Sequence, residues 1–70
     1  MSPAEAIAYV NAQAACAMIE ALGMKAENEQ RKVQGNSPAY GEAAFSAIID
    51  KYCISHNAVM QLFQESNYYV

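Results

Sequence analysis

The chain has 70 residues, a size at which one domain forms only a small hydrophobic core and often needs association or cross-links for support. Apolar residues make up 54% of it and charged residues 16%, which excludes an intrinsically disordered composition. Seven acids against four bases give a net charge of −3, so no general attraction to phosphate backbones is expected.

The first half of the chain predicts one long helix. Ser2-Pro3-Ala4-Glu5 has the pattern of a capping box with proline at the first helical position. Gly35 suits the left-handed conformation that ends many helices, and nine alanines lie between positions 4 and 26. A helix over about residues 3–34 would be roughly 45–50 Å long. A compact globule of this size is only about 20–30 Å across.

Two apolar stripes follow this helix at spacings of three and four. The first comprises Ile7, Val10, Ala14, Ala17, Ala21 and Met24. The second comprises Ala8, Ala12, Ala15, Ile19, Leu22, Ala26 and Val33, with Glu29 as its polar interruption. The stripes point about 145° apart. Because a surface helix needs only one apolar face, the second stripe predicts a homo-oligomer assembled through this helix, antiparallel or bundled.

The second half predicts two short helices after a turn-rich loop at residues 35–41. Apolar residues at i, i+3, i+4 and i+7, starting at Phe45, indicate a helix over about 42–52. Ser55 is a good N-cap for a third helix over about 56–65, and the apolar tail at 67–70 is expected to pack on the first helix or on a neighbouring subunit. The predicted fold is a single all-α domain over 1–70, in which the two short helices form a helical hairpin.

The cysteine pattern and the hydropathy predict a cytoplasmic protein. Cys16 and Cys53 lie far apart and form no CxxC pair, so we expect free thiols. No basic segment precedes an apolar one as in a signal peptide. The longest apolar run, residues 14–19, is too short to cross a bilayer, so no membrane partner is expected.

A polar cluster at the end of the long helix is the candidate ligand site. It comprises Glu27, Asn28, Arg31, Ser37 and Tyr40. Arginine can pair with an anion, backbone amides at the start of the second helix can donate hydrogen bonds to the oxygens of that anion, and tyrosine can stack on a ring. Near a subunit boundary these groups would suit an anionic, nucleotide-like small molecule or a partner protein. The alternative is a capped helix end whose cations interact with the helix dipole.

Residues 48–63 resemble a helix-turn-helix in their apolar spacing, with Ser55 capping the second helix. The resemblance implies a transcriptional regulator in which four side chains of the third helix read the major groove. These are His56, Asn57, Gln61 and Gln64. Three departures disfavour nucleic acid as a partner: Ile49 replaces a small residue at the helix crossing, Cys53 replaces the turn glycine, and the reading helix carries no arginine or lysine.

No residue pattern indicates catalysis, a metal site or a cofactor. Cys53 and His56 are close in sequence, but a turn cysteine beside a helix-cap histidine is more typical of packing than of a nucleophile pair. The spacing of Cys16, Cys53 and His56 fits no metal-ligand motif. We therefore predict a non-catalytic binding or inhibitory protein. Small, acidic, motif-poor chains of this kind are typical of phage-type accessory factors.

Overall fold

The computed structural model describes the backbone of residues 1–68 and the side chains of residues 1–65. This part of the chain contains three helices and no strand: α1 (Pro3–Val33), α2 (Glu42–Lys51) and α3 (His56–Tyr68). The all-α prediction is confirmed, and α3 extends three residues beyond its predicted end. The expected packing of the tail at 67–70 lies outside the described side chains.

Both ends of α1 have the structures that the sequence predicts. Ser2 Oγ accepts a hydrogen bond from the Glu5 N–H at 3.1 Å, and Glu5 Oε1 accepts one from the Ser2 N–H at 3.0 Å, which completes the capping box. At the other end Gly35 has φ 80, and the Asn36 N–H donates to the Arg31 carbonyl at 2.8 Å. This is a Schellman turn, in which only glycine adopts the left-handed position without a steric cost.

A second Schellman turn ends α2 and bends the chain into α3. Cys53 occupies its left-handed position with φ 56, and the Ile54 N–H donates to the Ile49 carbonyl at 3.0 Å. Ser55 Oγ then accepts from the Ala58 N–H at 3.2 Å, so its predicted role as the N-cap of α3 is confirmed. The bend therefore consists of one helix stop followed directly by one helix start.

The two short helices lie end to end along α1 and antiparallel to it. Tyr40 lies beside Asn28, Lys51 contacts Glu20, and Tyr52 contacts Gln13. Within the described residues α2 and α3 each pack on α1 and not on one another, so the predicted hairpin between them is wrong. The reason is that both short helices turn their apolar faces toward α1, and the Schellman turn changes the chain direction too little to fold one helix onto the other.

This arrangement is thin and elongated. The principal dimensions are 55 × 18 × 10 Å, and the radius of gyration of 16.0 Å exceeds the value of about 11 Å for a compact domain of this length. Among the described side chains the buried core comprises Ala6, Ala17 and Ile48. The two short helices cover one side of α1 and leave its other side exposed.

The face of α1 that packs on the short helices differs in part from the first predicted stripe. Ile7 is 52% exposed and Ala14 is exposed, whereas the half-buried side chains include Gln13, Glu20 and Asn28. The packed face is rotated from the predicted stripe because these three polar residues bond to residues 34–68, which we call the second arm of the fold.

The second predicted stripe is solvent-exposed along its whole length, and we call it the outer face of α1. Its members are Ala8, Ala12, Ala15, Ile19, Leu22, Ala26 and Val33. Ile19 is 71% exposed, Leu22 59% and Val33 87%. The outer face points roughly 180° away from the packed face at the angular step of an α-helix.

Candidate functional site

The loop between α1 and α2 is held by a side-chain clamp. Asn28 Nδ2 donates to the Tyr40 carbonyl at 2.8 Å, and Asn28 Oδ1 accepts from the Tyr40 N–H at 3.0 Å. The side-chain amide of Asn28 therefore bonds both the N–H and the carbonyl of Tyr40, as the backbone of a neighbouring β-strand would. Asn28 and Tyr40, both predicted as ligand residues, are brought together, and the Asn28 amide is used to fix the loop.

The other predicted ligand residues surround this clamp. Arg31 Nε lies 3.3 Å from Glu27 Oε1 one helical turn away, with both side chains partly exposed. Such an exposed pair contributes little to stability, so the guanidinium remains accessible to a competing anion. Ser37 is exposed in the loop that the clamp positions. The cluster thus forms a polar end of the molecule, built on the last turns of α1 and residues 34–41.

A further polar cluster, which the sequence did not reveal, lies midway along the fold. Lys51 Nζ donates to Glu20 Oε1, Tyr52 Oη lies 3.3 Å from the same oxygen, and the ammonium sits 5.5 Å from the Tyr52 ring centroid. Gln13 Nε2 donates to the Tyr52 carbonyl at 3.2 Å. Gln13 and Glu20 lie seven residues apart on the same side of α1, and this spacing could have identified them as partners of a second helix.

A cleft of about 440 Å³ connects the two polar clusters. Its lining combines small apolar side chains of α2 with charged and aromatic groups, namely Glu20, Met24, Tyr40, Ala44, Ala47 and Lys51. The cleft lies directly beside the clamped loop. Another cleft, of about 450 Å³, lies between the start of α1 and α3, where Tyr9 and Leu62 contribute to the wall.

Two side-chain pKa values are shifted by their hydrogen bonds. The Glu20 carboxylate raises the pKa of Lys51 above its ordinary value, because the pair favours the charged ammonium. The Ser2 backbone N–H and hydroxyl lower the pKa of Glu5, because they favour its carboxylate. Both groups are solvent-exposed; Glu5 belongs to the capping box of α1, and Lys51 pairs α2 with α1.

The four predicted DNA-reading residues, His56, Asn57, Gln61 and Gln64, are exposed on α3. The left-handed turn residue of a helix-turn-helix is present in the form of Cys53. The packing of the motif's two helices on each other is absent from the described part of α2 and α3. The described residues therefore contain the left-handed turn of a helix-turn-helix but not the packing of its two helices on each other.

Cys16 and Cys53 are free and exposed. Among the described residues no group of three or more histidine, cysteine or acidic side chains is placed to hold a metal ion.

One stretch of α1 is long and apolar enough to cross a membrane, with a mean hydropathy of 1.2 and 6% of its residues buried in this chain. Core helices of soluble proteins and N-terminal signal sequences pass the same test. Within that stretch Gln13 and Glu20 bond to the second arm, and the apolar outer face is exposed.

Comparison with known proteins finds no matching family model, no similar curated protein and no similar solved structure.

Proposed function

We propose that this chain is a small, non-catalytic cytoplasmic binding protein that self-associates through the outer face of α1. Its polar end, formed by Glu27, Asn28, Arg31, Ser37 and Tyr40, binds an anionic, nucleotide-like small molecule or an acidic surface of a partner protein. The exposed apolar outer face carries the proposal, because an apolar surface that runs from Ala8 to Val33 with Glu29 as its one polar interruption is unusual on a soluble monomer.

The size of the exposed side chains supports association. Ile19, Leu22 and Val33 would together contribute on the order of 10 kcal/mol if two copies buried them, which is comparable with the ~4–15 kcal/mol that association costs. Burial of Met18, which is 66% exposed, and of the alanines of the outer face would add to this favourable free energy of association. We expect a dimer at micromolar concentrations.

Charge and order support the ligand-binding role of the polar end. Arg31 and Lys32 lie in the last turn of α1, and the clamp between Asn28 and Tyr40 ties the adjoining loop to this helix by two hydrogen bonds. A positioned loop loses less conformational entropy when it binds a ligand than a mobile loop does. The arginine fork can bond two oxygens of a phosphate or carboxylate at once.

The ligand-binding role is tested by thermal shift against nucleoside mono-, di- and triphosphates and inorganic phosphate. A ligand at 100 times its Kd would stabilise the fold by about 2.7 kcal/mol. Arg31→Ala should remove the shift and leave the melting temperature without ligand nearly unchanged. Lys25→Ala, a cation on the same helix outside the cluster, is the matched control and should retain the shift. If no compound shifts the wild type, the partner-protein role alone remains.

A helix-turn-helix regulator is the alternative proposal, favoured by the left-handed Cys53 and by the exposed polar residues of α3. A gel-shift series at low salt with mixed-sequence duplex DNA separates the two proposals. Saturable binding that His56→Ala weakens would replace the first proposal by the second. Failure to bind at tens of micromolar protein would remove the alternative.

A further inference from the structure

The outer face of α1 has the seven-residue repeat of a two-stranded coiled coil. With Ala12 at position a and Ala15 at position d, the same positions recur at Ile19 and Leu22 and continue through the helix. The packed side chains of α1 fall at b, c and f, on the opposite side of the repeat. One helix thus carries two separate seams, one for its own chain and one left open.

The acidic residues on this seam favour an antiparallel pair over a parallel one. Glu5 and Glu29 occupy a and d positions of the repeat. In a parallel coiled coil each a or d side chain faces its own copy, so both glutamates would meet an identical charge. Parallel helices would also align their dipoles, whereas an antiparallel pair opposes them.

The same charges distinguish two registers of an antiparallel pair, both of which place Ile19 near the middle of the interface. In the Ile19–Ala15 register, Ile19 faces the partner's Ala15, and Glu29 faces the partner's Glu5. In the Ile19–Leu22 register, Glu29 instead faces the partner's Ala12, and no two like charges meet on the seam.

Shape favours the second register as well. Ile19 faces the partner's Leu22 twice around the two-fold axis, which places the large apolar side chains at the centre of the interface. Ala15 faces the partner's Ala26 in the next layer, where two small side chains allow the helix backbones to approach closely. Val33, 87% exposed in the single chain, is covered by the partner's Ala8.

We propose that two copies of this chain pair antiparallel along the outer face of α1 in the Ile19–Leu22 register. This inference rests on the proposed self-association and specifies its geometry. The result is a two-fold assembly with the two α1 helices inside and the short helices outside. The last residue of each α1, Val33, then lies alongside Ala8 in the second turn of the partner's α1.

Disulfide trapping in a background with Cys16→Ser and Cys53→Ser tests the register. The variant carrying Ala15→Cys and Ala26→Cys should form a covalent dimer after equilibration in a glutathione buffer, because its thiols face each other in adjacent copies. Two matched controls, Ala8→Cys with Ala26→Cys and Ala15→Cys alone, should stay largely uncrosslinked. The paired positions in each double variant are far more than 7 Å apart along one helix, so no link can form within a chain.

Each other outcome is decisive. Trapping of the pair at positions 8 and 26 would assign the Ile19–Ala15 register, and trapping of the single variant would assign a parallel pair. A dimeric mass with no trapping in any variant would overturn the register and leave the self-association standing. A monomeric mass with no trapping would overturn both.

Discussion

Replacing Ile19 by glutamine should weaken self-association without affecting the fold of the single chain. Ile19 is 71% exposed, so the chain's own packing loses almost nothing. Full burial of an isoleucine is worth about 1.5–3 kcal/mol, and the exposed fraction therefore contributes about 1–2 kcal/mol per copy at the interface. A two-fold dimer contains the change twice, so the expected loss is about 3 kcal/mol, or roughly a hundredfold in Kd.

Sedimentation equilibrium over a dilution series measures this Kd, and thermal unfolding at a concentration where both proteins are monomeric checks the fold. Ile7→Gln is the matched control, since Ile7 is on the same helix and 52% exposed but lies off the outer face. The Kd for self-association of the Ile7→Gln variant should differ from the wild-type value by less than about tenfold. Equal effects of the two substitutions, or no effect of Ile19→Gln, would refute the assignment of the interface.

Three further substitutions test the fold. Asn28→Ala removes both hydrogen bonds to the Tyr40 backbone and should cost about 1 kcal/mol, or 4–8 °C in melting temperature by calorimetry. Cys53→Gly should raise the free energy of unfolding by up to about 1 kcal/mol in urea titration, because glycine adopts the left-handed φ of 56 without strain; a decrease would contradict the Schellman assignment. Since the pKa of Lys51 is raised in the folded state, its stabilising effect is present below its ordinary pKa and is lost as pH rises through the higher folded value. Glu20→Gln should therefore flatten the alkaline fall in stability measured between pH 9 and about 12.

The helices were predictable because their signals are local. Ser2 and Glu5 bond each other within one turn, Gly35 supplies the left-handed stop, and Ser55 caps the next helix start. The helical hairpin was mispredicted because the direction of a short connection depends on its backbone conformation. Cysteine at position 53 gives no sign in the sequence that it adopts φ 56.

The candidate site was only partly predictable, because its contacts join distant parts of the chain. The grouping of Glu27 with Arg31 follows from helical spacing alone, and the structure contains that pair. The clamp of Asn28 on Tyr40 and the pairing of Glu20 with Lys51 depend on how the second arm aligns with α1. The alanines of α1 fit either face equally well, so only the polar residues distinguish the packed face from the outer one.

The solution mass of the wild-type chain tests the central claim most directly. At concentrations from ten to several hundred micromolar, sedimentation equilibrium should give a mass rising toward about twice the 7.6 kDa of one chain. A constant 7.6 kDa over that range would contradict self-association through α1, and with it the proposed role of the outer face.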